Sequence, residues 1–198
     1  MFALHPQIES AIRWLQADRD TNGLPADVYC SSRDIFQARL DSLRLQLEER
    51  SAAMTEPSLV VAVLGELGNN AFDHNLGTWR DSPGVYFAHD RAQGLAVIAD
   101  RGQGVLASLR RVLPALPTDQ VAVDTAFTQT ISGRSPERRG NGLKFVVAVA
   151  AQSDLTVDFY SGSGVYHCGD HPLELALTQP VQGVLAVVRF NPGGPDAT

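Results

Sequence analysis

Glu66, Asn70 and His74 stand four residues apart within Leu64-Gly65-Glu66-Leu67-Gly68-Asn69-Asn70-Ala71-Phe72-Asp73-His74-Asn75. On a helix, four residues displace a side chain by only about 40° around the axis. A carboxylate, an amide and an imidazole therefore share one stripe, with Asn69 and Asp73 beside it. The same segment carries Val60, Val63, Leu64, Leu67 and Ala71 at spacings of three and four, a second stripe that has to be packed. Polar groups at the edge of such a face need partners, either water along a wet side or a ligand. A carboxylate one turn before a side-chain amide can orient or deprotonate a water or hydroxyl near a phosphate. An amide oxygen suits Mg²⁺, which takes oxygen ligands in octahedral geometry and keeps several waters.

Two later stretches carry further chemistry. Val97-Ile98-Ala99-Asp100-Arg101-Gly102-Gln103-Gly104 is an apolar strand running into Asp-x-Gly-x-Gly. A carboxylate that accepts from an amino group at C6 tells adenine from guanine, whose C6 oxygen is itself an acceptor. Glycines after it let backbone approach a base without Cβ clashes. Arg139-Gly140-Asn141-Gly142-Leu143 is a Gly-x-Gly turn opening an apolar helix. The exposed N–H groups of a helix start favour phosphate.

Taken together and in this order, the three stretches resemble the N box and the two glycine boxes of the GHKL (Bergerat-fold) ATPases. That superfamily includes histidine-kinase catalytic domains, anti-sigma-factor serine kinases, type II topoisomerases, heat-shock chaperones and mismatch-repair ATPases. The resemblance spans residues 66–143. It implies an α+β two-layer sandwich: a mixed, mostly antiparallel sheet covered on one face by helices, with nucleotide held between the helices and a lid. It implies ATP or ADP with Mg²⁺ as cofactors. Asn70 would bind the Mg²⁺, Glu66 would be the catalytic general base, and Asp100 would accept from the adenine amino group. Gly102, Gly104, Gly140, Gly142 and Leu143 would line the nucleotide. His74 either approaches the phosphates or is a solvated, helix-capping histidine. Arg134, Arg138 and Arg139 lie in a loop where charge clusters are ordinarily solvated; Arg139, next to the glycine turn, is the one expected to reach phosphate. After Leu143 comes Lys144-Phe145 rather than the fuller Gly-x-Gly-Leu-Gly-Leu of histidine kinases. Lys144 reads as solvated.

The remaining sequence bounds this reading. The chain has 198 residues, 16 basic and 22 acidic, for a net charge of -6. No long basic run is present, which argues against nucleic acid as a partner. No apolar run reaches the length of a membrane span, no signal-peptide pattern opens the chain, and two cysteines make no framework. A cytoplasmic protein is expected. His167-Cys168-x-x-His171 has no second ligand pair and reads as the end of a strand rather than a zinc site.

Hydrophobic periodicity places helices at 6–18, from Ser32 onward with the stripe Phe36, Leu40, Leu43 and Leu47, at 57–74, 105–113, 119–130 and 143–151. Strands are expected at 26–30, 85–88, 95–99, 155–160, 165–168 and 184–190. The organisation expected is a helical extension over residues 1–50, the nucleotide domain over 51–192 with a lid near 105–139, and a flexible tail over 193–198. The Phe36–Leu47 stripe and the Trp14 helix each suit either a homodimer or burial within one chain. The size and the Glu-Leu-x-x-Asn-Ala-x-x-His pattern are closest in style to stand-alone anti-sigma-factor kinases. The expected function is thus a regulatory Mg-ATP-dependent protein kinase or ATPase in bacterial signalling, with a protein partner: an antagonist, a sigma factor or a phosphoacceptor. The alternatives are a non-catalytic ATP/ADP-sensing module and a histidine-kinase catalytic domain acting on another chain.

Overall fold

A computed structural model of the chain describes residues 4–17, 23–49, 55–75, 84–130 and 141–193. In chain order its elements are α1 (Pro6–Gln16), β1 (Tyr29–Cys30), α2 (Arg33–Glu48), α3 (Pro57–Asn75), β2 (Val85–Asp90), β3 (Leu95–Asp100), α4 (Gly104–Arg110), α5 (Asp119–Thr128), α6 (Gly142–Ala150), β4 (Thr156–Gly162), β5 (Gly164–Cys168) and β6 (Val181–Arg189). The strands form one sheet in the order β1-β2-β3-β6-β4-β5, and every pairing is antiparallel. The fold is an α+β sandwich as expected, but the sheet is antiparallel throughout rather than mixed, and α1 covers the face expected to be bare.

Side-chain alternation along β3 divides the interior into two cores. Ala96 and Ile98 join a larger core with α2, α3, α5 and α6, while Leu95, Val97 and Ala99 join a smaller one on the opposite face. Every residue of β3 is buried, which is why it reads as a continuous apolar run. The smaller core is closed by Ile8, Ala11, Trp14 and Leu15 of α1, with Leu173, Leu175 and Leu177 packed alongside. Among the described residues, the sheet thus has a helical layer on one face and the single helix α1 on the other.

Local chemistry explains where the helices begin. His5 accepts from the Gln7 N–H and Pro6 opens α1, Ser32 Oγ accepts from Ile35 N–H at 3.4 Å, and Thr118 Oγ1 accepts from Val121 N–H at 3.3 Å. The α2 stripe is spent inside the chain: Phe36, Leu40, Leu43 and Leu47 are buried, as are Trp14 and Leu15. Of the two readings of these stripes, burial within one chain is the one observed. Among the described residues, no helix is long and apolar enough to cross a membrane.

Candidate functional site

α3 is rotated by its apolar stripe. Val60, Val63, Leu64, Leu67 and Ala71 face the larger core, which leaves Glu66 and Asn70 half-buried at its border. Their neighbours Asn69 and Asp73 are taken up structurally: the Arg33 guanidinium donates to Asn69 Oδ1 at 2.8 Å and to Asp73 Oδ1 at 2.6 Å, tying α3 to α2. The Glu66 and Asn70 side chains have no hydrogen-bond partner among the described residues. They meet the start of α6 instead. A Cβ added to Gly142 would lie 2.3 Å from Glu66 Oε2 and 3.8 Å from Asn70 Nδ2. Glycine is therefore what allows the helix start to close on these two side chains. Glu66, Asn70 and Gly142, some 70 residues apart by the numbering, are in one place.

Asp100 ends β3 at 1% exposure. It alternates with Ala96 and Ile98, so its carboxylate points to the helical layer that contains α3. Its Oδ1 accepts from Gly102 N–H at 2.7 Å. Its Oδ2 is buried with no partner among the described residues. Burial, offset only in part by the Gly102 N–H, pushes the carboxyl up to about 7. Asp158, also 1% exposed, shows what a structural buried carboxylate looks like here: His167 Nδ1 at 2.7 Å, Leu173 N–H at 2.8 Å and Arg189 Nη2 at 3.0 Å surround it. One buried aspartate is saturated; the other keeps an acceptor in reserve.

The turn after Asp100 is anchored from both faces. Arg101, 2% exposed, turns away from the helical layer, places its guanidinium 4.5 Å over the Trp14 ring and donates to the Trp14 carbonyl. On the other side Ser161 Oγ accepts from Val105 N–H at 3.0 Å and donates to the Gly183 carbonyl at 2.8 Å. Gly104, with φ 75, opens α4. Arg101, Ser161 and Gly183 escaped the sequence reading. For Arg101 the signal was present, since strand alternation sets it opposite Asp100. Ser161 and Gly183 come beside the glycine turn only through the strand order β3-β6-β4, which periodicity does not carry.

The other predicted residues divide. His74 is exposed and its Nδ1 lies 3.0 Å from Ser108 Oγ, which also accepts from Gln103 Nε2 at 2.8 Å, so the imidazole sits against α4. Leu143 packs against the larger core. Lys144 is half-buried rather than solvated: its ammonium donates to the Ala126 carbonyl at 3.3 Å, and burial lowers its pKa. Arg134, Arg138, Arg139 and Gly140 lie outside the described residues. Within the expected lid, residues 105–130 hold two docked helices. α5 buries Ala122, Val123 and Phe127, and the Gln120 side chain pairs with both Val165 N–H and C=O. His167 is bound to Asp158 and Cys168 is buried, its thiol pushed up to about 12 by burial. Among the described residues no cluster of three His, Cys, Asp or Glu could hold a metal.

A cavity of about 240 Å³ opens beside the turn after β3, lined by Gly102, Gly104, Asp119, Ser161, Gly162 and Gly183 among others. Asp100, Glu66 and Asn70 are not among its walls. Compared with protein-family models, with curated proteins and with solved structures, the chain has no match.

Proposed function

We propose that the chain binds an adenine nucleotide with Mg²⁺ between α3, α6 and the glycine turn after β3. The observation that carries the reading is Asp100: a buried carboxylate with one oxygen held by Gly102 and the other without a partner among the described residues. A buried acceptor left open costs free energy unless a ligand donates to it, and an exocyclic amino group of adenine supplies such a donor. The opposite end of the site supports a phosphate. Gly142 starts a nine-residue helix whose N-cap, Asn141, makes no side-chain cap, and helix N–H groups left without caps favour anions. The donor set also fits Mg²⁺, because Asn70 brings an amide oxygen to the same border as the Glu66 carboxylate.

Bound Mg-ATP would supply a γ-phosphoryl group with its charge partly neutralised. The chain's own part is to bind and orient. Asp100 reads the base, Gly102 and Gly104 allow close approach, and Gly142 presents backbone to phosphate. Glu66 orients and deprotonates the attacking water or hydroxyl. By its resemblance to the anti-sigma-factor kinases, the chain acts as a regulatory protein kinase or ATPase in bacterial signalling, on a protein partner in the cytoplasm.

Calorimetric titration of ATP and of GTP, each with Mg²⁺, tests the reading. Saturable binding of ATP without GTP is expected; no binding of either to the folded chain removes it. Glu66→Ala is expected to keep ATP affinity and lose turnover, measured as phosphate release or phosphotransfer. Unchanged turnover would take the base role from Glu66.

A further inference from the structure

We propose that Ser161 is the positioning residue that presents the Asp100 carboxylate, and so sets the preference for an adenine base; the inference rests on the nucleotide reading above. Ser161 is 2% exposed on β4 and alternates with Val157 and Phe159, whose side chains lie in the larger core, so its hydroxyl is on the same face as Asp100. One strand, β6, separates it from β3. The hydroxyl makes two bonds in opposite directions: it accepts from Val105 N–H at 3.0 Å and donates to the Gly183 carbonyl at 2.8 Å.

One bond ends beside the Asp100 backbone, at Gly183, and the other at Val105, past the end of the glycine turn. Gly183 has φ 78, and a Cβ there would lie 2.1 Å from the Asp100 carbonyl oxygen and 2.7 Å from Gly102 N. Gly102 N–H is the donor that holds Asp100 Oδ1. Ser161 therefore grips the glycine turn from its far end, through Val105, and from its flank, through Gly183. With the turn gripped, the Gly102 bond fixes the carboxylate rotamer and leaves Oδ2 as the open acceptor. Removing the hydroxyl leaves a part-buried N–H and a buried C=O without their partner at once. A shift of the 102–105 turn relieves both, and that shift carries Gly102 N–H away from Oδ1 and releases the carboxylate.

The test compares ADP with IDP, titrated calorimetrically with Mg²⁺ into the full chain. IDP has a carbonyl where ADP has the 6-amino group and an N1–H where ADP has an acceptor nitrogen, so the ratio of affinities reports how the site reads that edge of the base, whereas general loosening weakens both nucleotides alike. The wild type is expected to prefer ADP by about tenfold or more, the equivalent of ~1.4 kcal/mol. Ser161→Ala is expected to lose most of that preference by weakening ADP alone. Ser161→Cys, which keeps the shape with a poorer donor, falls between the two and serves if the alanine variant does not fold. An unchanged ratio in a folded variant, or equal weakening of both nucleotides, overturns the role of Ser161 and leaves the adenine reading standing. A wild-type chain that binds ADP and IDP alike, or neither, overturns the adenine reading itself.

Discussion

Asp100 holds its charge where the fold least favours it, and that gives it opposite effects on stability and on binding. Its carboxyl is raised by burial from 3.8 to about 7. The folded chain therefore keeps a proton that the unfolded chain releases on going from pH 4 to pH 7. The stability tied to the protonated form is complete below the unfolded pKa and is lost as pH rises through about 7. A shift of this size corresponds to a cost on the order of 4 kcal/mol above that pH. Asp100→Asn removes the ionisation. Urea unfolding is expected to show the variant more stable than wild type at pH 8, with the difference closing toward pH 4. ATP affinity is expected to move the other way, down by at least about 1.4 kcal/mol, a factor of ten. A variant that gains no stability at pH 8 would show that the carboxylate is not paying a burial penalty. A variant with unchanged ATP affinity would take Asp100 out of the site. Asp100 was legible in the sequence because it terminates an apolar strand ahead of two glycines. Ser161 was not, because a lone serine near a strand end carries no signal until the order of strands is known.

At the scale of elements, the encounter of α3 with α6 rests on Gly142. Alanine there would bring its methyl to 2.3 Å from Glu66 Oε2, the tip of a flexible side chain that can move aside at little cost to the fold. Gly142→Ala is expected to leave unfolding free energy within about 1 kcal/mol of wild type while displacing the Glu66 carboxylate. Phosphate release or phosphotransfer should then fall with ATP binding largely kept. Unchanged turnover would mean that the approach of α6 to Glu66 has no part in the chemistry. The elements themselves were legible in outline, since the six helices and six strands among the described residues fall close to where periodicity put them. Departures have local causes. β6 starts at Val181 rather than 184 because Gly183 sits near a register shift at Tyr160/Gly162, which breaks the alternation that marks a strand. The described part of the expected lid is packed because Asp119 Oδ2 takes Ser163 N–H and Oγ, and Gln120 mimics a neighbouring strand for Val165. Turn-rich composition around Pro114 and Pro117 gave no sign of those side-chain bonds.

For the whole molecule, two cores share one sheet, and the candidate site belongs to the larger of them. The smaller is closed by α1, whose Trp14 is 6% exposed and lies under the Arg101 guanidinium. The glycine turn is thus held from one face by Arg101 and from the other by Ser161, and the two grips differ in kind. A cation over a ring tolerates sliding, whereas the Ser161 hydroxyl fixes a donor and an acceptor at once. Trp14→Ala is expected to cost about 3–5 kcal/mol of stability, the usual price of emptying a buried tryptophan site. The preference for ADP over IDP is expected to survive it, because Val105 and Gly183 keep the turn in place. Urea unfolding gives the first quantity and paired titrations the second, made in buffer where the variant is fully folded. If the preference collapses in Trp14→Ala while Ser161→Ala retains it, the grip that orients Asp100 comes through Arg101 from the outer face. The N-terminal helix would then belong to the site rather than to the packing of the sheet.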